Sequence, residues 1–202
     1  VDIKSTIMPD ERSTWDERYR HGILPLTQPN PFLAEAYARF IEPRFPARGL
    51  GSEPHTALDL AGGAGRHALW LAQRGWQVTL TDVSSEGLTL ARKNAADLSP
   101  AIDIVQTDLR EFRAGRQYDL VLVFYYLERA IFPELEKSLR PGGILLFKTY
   151  VREEGDPSRP VRNPAHLLEP GELLQAFPRL RVLHHREYRS KRFVAELVAT
   201  AS

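Results

Sequence analysis

The stretch "TALDLAGGAGRHALWLAQRGWQVTLTD", residues 56 to 82, sets glycines and acids where a nucleotide-derived ligand could be held. Gly63, Gly65 and Ala68 satisfy G-x-G-x-x-G/A, and Asp82 follows Gly63 by 19 residues. Taken alone, this fits a dinucleotide site, in which glycines let the backbone approach a pyrophosphate and the acid holds ribose hydroxyls. Asp59 speaks against that. It stands at the tip of the apolar run before the glycines, where a carboxylate would repel a pyrophosphate and suit a ligand with a positive end. Asp82 and Asp108 close the next two apolar runs, placed for ribose hydroxyls and for the exocyclic amine of adenine. Each acid could instead cap a helix, but three around one glycine turn point to a ligand. S-adenosylmethionine carries an ammonium, a sulfonium and no phosphate, and meets these demands; its product would be S-adenosylhomocysteine.

The elements that must position these residues alternate at βαβ spacing. "TALDLA", "WQVTLTD", "IDIVQTD", "YDLVLVFYYL" and "GGILLFKTY" read as strands, with helices "GRHALWLAQRG", "SSEGLTLARKNAADL" and "FPELEKSLR" between them. After a helix "EPGELLQAF", "RLRVLHHREY" and "RFVAELVA" form a hairpin. The pattern predicts an α/β fold: a Rossmann-like three-layer sandwich with a seven-stranded, mostly parallel sheet and an antiparallel C-terminal hairpin strand. Upstream, "DERSTWDERYRHG" reads as a short polar helix with Trp15 and Tyr19 on one face, and "PFLAEAYARFIEPRF" as a helix opened by Pro31. One domain is expected over 1–202, with an N-terminal helical cap (1–50) and a catalytic core (56–202).

Composition narrows the function classes. Of 202 residues, 27 are basic and 26 acidic, a net charge of +1 that gives no global pull towards nucleic acid or membrane. Zero cysteines exclude disulfides, thiolate catalysis and cysteine-ligated metals. No apolar run approaches the roughly 18 residues of a membrane span, and the N-terminus lacks a signal pattern. A cytoplasmic protein, monomeric or weakly dimeric, is expected.

"LDLAGGAGRHALWLAQRGWQVTLTDVS", "TDLREF", "YDLVLVFYYL" and "LRPGGILLFKTY" together resemble the class I S-adenosylmethionine-dependent methyltransferases over residues 56 to 150. "WDERY", Arg66 after the last glycine, and "NPAHLLEPGELLQAF" are similar to the small tellurite-resistance (TehB-like) and thiopurine-type branch. One departure is Ala61, where that family usually has the first glycine of its turn; the methionine end would then sit slightly differently.

The cofactor set comprises Asp59 for the ammonium, the turn Ala61, Gly62, Gly63 and Gly65, Asp82 for the ribose, Val83 and Ser84 beside ribose or adenine, and Asp108 and Leu109 for adenine. Phe124 and Tyr125, at the fourth strand's end, line the methyl-transfer pocket; Tyr126 is either lining or core. Arg66 binds the methionine carboxylate or an anionic substrate. The resemblance implies that Trp15 and Tyr19 close over the methionine end; plain helix packing is the alternative. His67 is expected on a helix surface. His184 and His185 point to opposite sides of a strand, so no metal site is assigned. Arg179, Arg181, Arg186, Arg189, Lys191 and Arg192 read as a solvated basic hairpin. "VREEGDPSRPVRNPAHLL" leaves a strand's C-terminal end and reads as a substrate lid.

"FYYLER" lacks the Asn-Pro-Pro-Tyr type of motif of nucleic-acid and protein amino methylases, and the sequence offers no histidine–acid pair in the crevice. These features favour a small-molecule acceptor with a soft nucleophile, a thiol or a chalcogen oxyanion, which needs no general base. RNA or protein methylation, a non-catalytic cofactor-binding protein, and an NAD(P)-dependent oxidoreductase are the alternatives.

Overall fold

The computed structural model describes residues 11–21, 28–49, 51–98, 102–153 and 164–202. Residues 154–163 of the expected lid, and most of the connector before Pro31, lie outside them.

Seven strands form one sheet: β1 (Thr56–Leu60), β2 (Gln77–Asp82), β3 (Asp103–Gln106), β4 (Tyr118–Phe124), β5 (Leu139–Tyr150), β6 (Arg181–Arg189) and β7 (Phe193–Thr200). Their order is β3-β2-β1-β4-β5-β7-β6. The first five run parallel, and β7 lies antiparallel between β5 and β6. The expected fold class is the observed one. Strand order reverses between β1 and β4, which opens a crevice beyond their C-terminal ends.

The central strands bury both faces, as parallel strands under helices must. All seven residues of β4 are buried. Its Leu120 and Leu122 join one core with Leu33, Leu71, Trp76 and Leu88. Val121 and Val123 join the other with Leu58, Leu135, Phe147 and Leu197. The first core is covered by α2 (Pro31–Ala36), α3 (Arg66–Ala72) and α4 (Ser85–Ala95). The second is covered by α5 (Phe132–Lys137) and α6 (Glu172–Gln175).

Local chemistry sets the helix ends. Asn30 caps α2 by accepting from Phe32 N at 3.1 Å, with Pro31 at the first helical position. The expected single helix ends early: Tyr37–Ile41 is a π-helical turn. Pro43 has no N–H to offer the Arg39 carbonyl, so the preceding turn widens. Strand β4 also stops sooner than "YDLVLVFYYL" suggests, because Tyr125 takes φ +59 and turns the chain out of the sheet.

An α1 helix (Glu11–Arg20) docks on α4. The buried Asp16 accepts from Ser84 Oγ at 2.7 Å, Glu86 N at 3.1 Å and Ser85 Oγ at 3.2 Å. The Asp16 carboxylate thus sits on the positive end of α4. Burial alone would raise its pKa, but the bonds from Ser84, Glu86 and Ser85 outweigh it and hold the carboxyl below the usual range.

Across the sheet, buried Lys148 on β5 meets Glu196 on β7 at 2.6 Å, and Glu196 is fully buried. Tyr188 and Arg186 also bond Glu196, at 2.8 and 2.5 Å. Removing one partner of such a pair strands a charge in apolar surroundings. Glu196→Leu should therefore cost about 3–5 kcal/mol in urea unfolding. Adding Lys148→Met should recover most of that loss.

Candidate active site

Chemistry converges at the β1 tip. Asp59 is fully buried. Its Oδ2 accepts from Ala68 N at 3.2 Å, in the first turn of α3, so the carboxylate does cap a helix. Its Oδ1 is buried without a hydrogen-bond partner. Burial, opposed by the Ala68 amide and Arg66, raises the Asp59 pKa to about 7. A fully buried carboxylate with one orphaned oxygen is poised to receive a cation, which is the demand that an ammonium group meets. The cradle fits such a ligand and not a pyrophosphate.

The turn between β1 and α3 is tight for reasons on both of its sides. A Cβ on Gly62 would lie 2.2 Å from Leu80 Cδ1 and 2.7 Å from Asp59 Oδ2. One on Gly63 would lie 2.1 Å from the Tyr19 hydroxyl. Gly62 is thus fixed by packing against the sheet, and Gly63 by what lies over the turn. Ala61 carries φ +54, a left-handed conformation that costs an L-residue roughly 1–2 kcal/mol.

Asp82, at the β2 tip, accepts from Gly63 N and Ser84 N, each at 2.8 Å, one on each oxygen. Burial raises its pKa against those backbone bonds. Each oxygen keeps a lone pair for a hydroxyl donor. Ser84 is buried as the N-cap of α4, accepting from Gly87 N while donating to Asp16. Val83 is half-buried beside it, and its carbonyl accepts from Gln106 Nε2 at 3.0 Å. The Tyr19 hydroxyl meets the Ala64 amide over the turn, and burial and Asp82 both raise its pKa. Trp15 remains 41% exposed, with its ring 6.4 Å from Tyr19. Of the two aromatics expected over the site, Tyr19 reaches the turn and Trp15 stacks outside it. Asp16, which holds this helix in place, was missed because an acid in a polar helix gives no sequence signal of its own.

On the β4 side, Phe124 is buried and Tyr125 is half-buried. The Tyr125 hydroxyl accepts from Asn30 Nδ2 at 3.1 Å, and its ring lies 5.0 Å from Tyr150. Tyr126 packs half-buried against the second core. His67 departs from expectation: it is 3% exposed, its ring lies 4.3 Å from that of Phe124, and its Nδ1 is 3.9 Å from Asp59 Oδ1. The second position of α3 faces the sheet, not solvent. The crevice therefore does contain a histidine–acid pair, but burial and the Arg66 charge lower the His67 pKa to about 3, which keeps it neutral.

Asp108 stands just beyond β3, next to Thr107, whose N donates to the Asp82 carbonyl at 3.0 Å. It caps the short turn Leu109–Glu111 by accepting from Arg110 N at 3.0 Å, and the same carboxylate takes Arg110 Nε at 3.0 Å. The bond from Arg110, ahead of burial, lowers its pKa. Asp108 thus caps a helical turn, as Asp59 does. Leu109 is buried in the second core.

Asp59 ionises in the unfolded chain near 3.8 and in the folded protein near 7. Its burial penalty is therefore absent below pH 4, grows between 4 and 7, and is complete above 7. Asp59→Asn should raise stability most above pH 7, with the gain fading towards pH 4 in urea titrations. Ala61→Gly should add about 1 kcal/mol at any pH, because it relieves the left-handed alanine.

Residues 57–143 match the family described as Methyltransferase domain. The protein YqeM of Bacillus subtilis (strain 168) is 30% identical over 126 residues, which are 57% of this chain and 48% of that protein. The chain spans about half the length of the curated relatives it matches. The structure is similar to TehB from Haemophilus influenzae, with a TM-score of 0.70 over 95% of this chain and 67% of that one, at 16% identity. It is similar also to the N-methyltransferase NodS from Bradyrhizobium japonicum WM9 in complex with S-adenosyl-L-homocysteine, with a TM-score of 0.68 over 94% and 97%, at 19% identity. At these identities the two structures establish the fold. Residues 57–143 thus match a methyltransferase domain, and the chain has the fold that it shares with TehB and NodS.

Proposed function

We propose that the chain is an S-adenosylmethionine-dependent methyltransferase acting on a small molecule through a soft nucleophile, a thiol or a chalcogen oxyanion. The observation that carries the cofactor half is the orphaned Asp59 Oδ1, fully buried beside the glycine turn. In this reading Asp59 takes the ammonium and Asp82 the ribose hydroxyls. Tyr19 covers the turn, and Val83, Ser84 and Leu109 flank the adenosine. Bound there, S-adenosylmethionine supplies a methyl group on an excellent leaving group.

The protein's own task is alignment and exclusion of water. With the cofactor bound, an acceptor's lone pair would bond the methyl carbon while the carbon–sulfonium bond gives its electron pair back to sulfur. A thiol acceptor loses its proton to solvent. His67 supports this assignment: neutral, shielded by Phe124 and 3% exposed, it is not offered to an acceptor as a base. Phe124 and Tyr125 form an apolar wall on the side from which the nucleophile approaches.

Purified protein should produce S-adenosylhomocysteine with a member of a panel of small thiols, selenite and tellurite. Turnover with bulk tRNA or protein and with no small acceptor would overturn the small-molecule half. The cofactor half is tested by pH. In the free protein Asp59 is half-protonated near pH 7, and its proton must leave before an ammonium can pair with it. Affinity for S-adenosylhomocysteine should therefore fall about twentyfold between pH 7.5 and 5.5, as measured by calorimetry. Asp59→Asn should bind weakly and flatten that dependence. A dinucleotide that binds where S-adenosylhomocysteine does not would refute the assignment.

A further inference from the structure

Arginines gather on β6 and around the adjoining ends of β5 and β7, and several are matched by acids. Arg152 meets Glu169 at 2.9 Å, Arg186 meets Glu196 at 2.5 Å and Glu35 at 3.4 Å, and Arg189 pairs with Glu153. Lys148 is neutralised by Glu196. Two cations differ. Arg192, exposed in the β6–β7 turn, has its guanidinium 5.0 Å from the centre of the Tyr150 ring. Arg66 opens α3 and is half-buried. Neither has a carboxylate partner among the described residues. Both charges act on the Tyr150 hydroxyl, whose pKa burial and Tyr125 raise and Arg192, Lys148 and Arg66 lower. Tyr150 in turn lies 5.0 Å from Tyr125, with the rings tilted by 34°. Tyr125 is pinned at φ +59 with its hydroxyl on Asn30.

We propose that the Tyr125–Tyr150 pair and Arg192 form the acceptor subsite, and that the acceptor carries a carboxylate or another oxyanion. This rests on the methyltransferase reading above. The methionine end of the cofactor brings one carboxylate, which can neutralise Arg66 at the start of α3. Arg192, over Tyr150 and further from the glycine turn, is left for a second anion. The paired tyrosines offer a flat apolar body to an aromatic acceptor, while an arginine fork holds its carboxylate by two hydrogen bonds.

A matched pair of thiols tests this: 4-mercaptobenzoate and 4-mercaptobenzamide differ in charge and hardly in shape. Each is titrated calorimetrically into the protein with and without saturating S-adenosylhomocysteine. The carboxylate should bind at least tenfold more tightly than the amide. Arg192→Ala should erase that preference with S-adenosylhomocysteine affinity unchanged, and Arg192→Lys should keep part of it. Arg181→Ala, an exposed cation at the opposite end of β6, should leave it intact. Equal binding of the two thiols, binding of neither, a preference that survives Arg192→Ala, or an equal loss in Arg181→Ala overturns the subsite. A protein that prefers the carboxylate through Arg192 but does not bind S-adenosylhomocysteine would keep the subsite and overturn the cofactor assignment.

Discussion

A carboxylate withdrawn entirely from water, at the end of β1, is the constraint around which this crevice is arranged. Asp59 has a single hydrogen bond, from Ala68 N at the start of α3. Burying an acid so poorly served is costly, and its pKa near 7 reflects that cost. The neighbourhood is shaped to keep it there. Gly62 has no room for a side chain because Asp59 Oδ2 and Leu80 fill the space. Helix α3 must start where its free N–H groups can reach the carboxylate. His67 is drawn inward onto Phe124 by the same helix entry. A cation delivered to Oδ1 would relieve the strain, so the free protein holds in reserve energy that binding can release.

The second acid works differently. Asp82 spends both oxygens on backbone amides, one before α3 and one at the head of α4. It therefore ties the two phases of the crevice wall together before any ligand arrives. Asp16 repeats the device from outside, bonding Ser84, Ser85 and Glu86 at the head of α4. Through Asp16, the polar α1 helix, which has little apolar surface to bury, acquires a fixed seat. Tyr19 is carried with it onto Gly63 and Gly87. Anchoring by charge at a helix terminus here replaces anchoring by a core.

The sheet and its seven strands were legible because periodicity is local: apolar runs, glycine stops and acids at strand ends all sit within a few residues of one another. The antiparallel last strand followed from the short basic turn between two apolar runs. What escaped the sequence were consequences of distance. Asp59 lies inside β1 and is hydrogen-bonded by one backbone amide, whereas Asp108 lies two residues beyond β3 and is bonded by the Arg110 side chain. His67 was expected on a helix surface, but the second position of α3 faces inward and its ring lies against Phe124. Asp16 carries no motif at all, and its importance exists only through residues 84 to 86. Lys148 and Glu196, 48 residues apart, became partners only when β7 entered the sheet beside β5.

Among the described residues, two that are not glycine hold a left-handed backbone, Ala61 and Tyr125, and each directly follows one of the two strands that flank the switch point. Both chains leave the sheet by the same sharp turn. A residue with a Cβ tolerates that conformation only when its surroundings over-determine it, and such strain gathers where geometry is being imposed. At Ala61 the turn is imposed by Asp59 and Leu80 beneath Gly62. At Tyr125 it is imposed by Asn30, by the bond from Tyr125 N to the Lys148 carbonyl at 2.7 Å, and by the ring against Tyr150. The first bend turns the backbone under the space beside Asp59; the second swings a phenol out of the sheet into the neighbouring space. The proposed displacement needs donor and acceptor held at a fixed separation along one line. Two strained exits from adjacent parallel strands, about 5 Å apart as neighbouring strands are, are a rigid way to hold them.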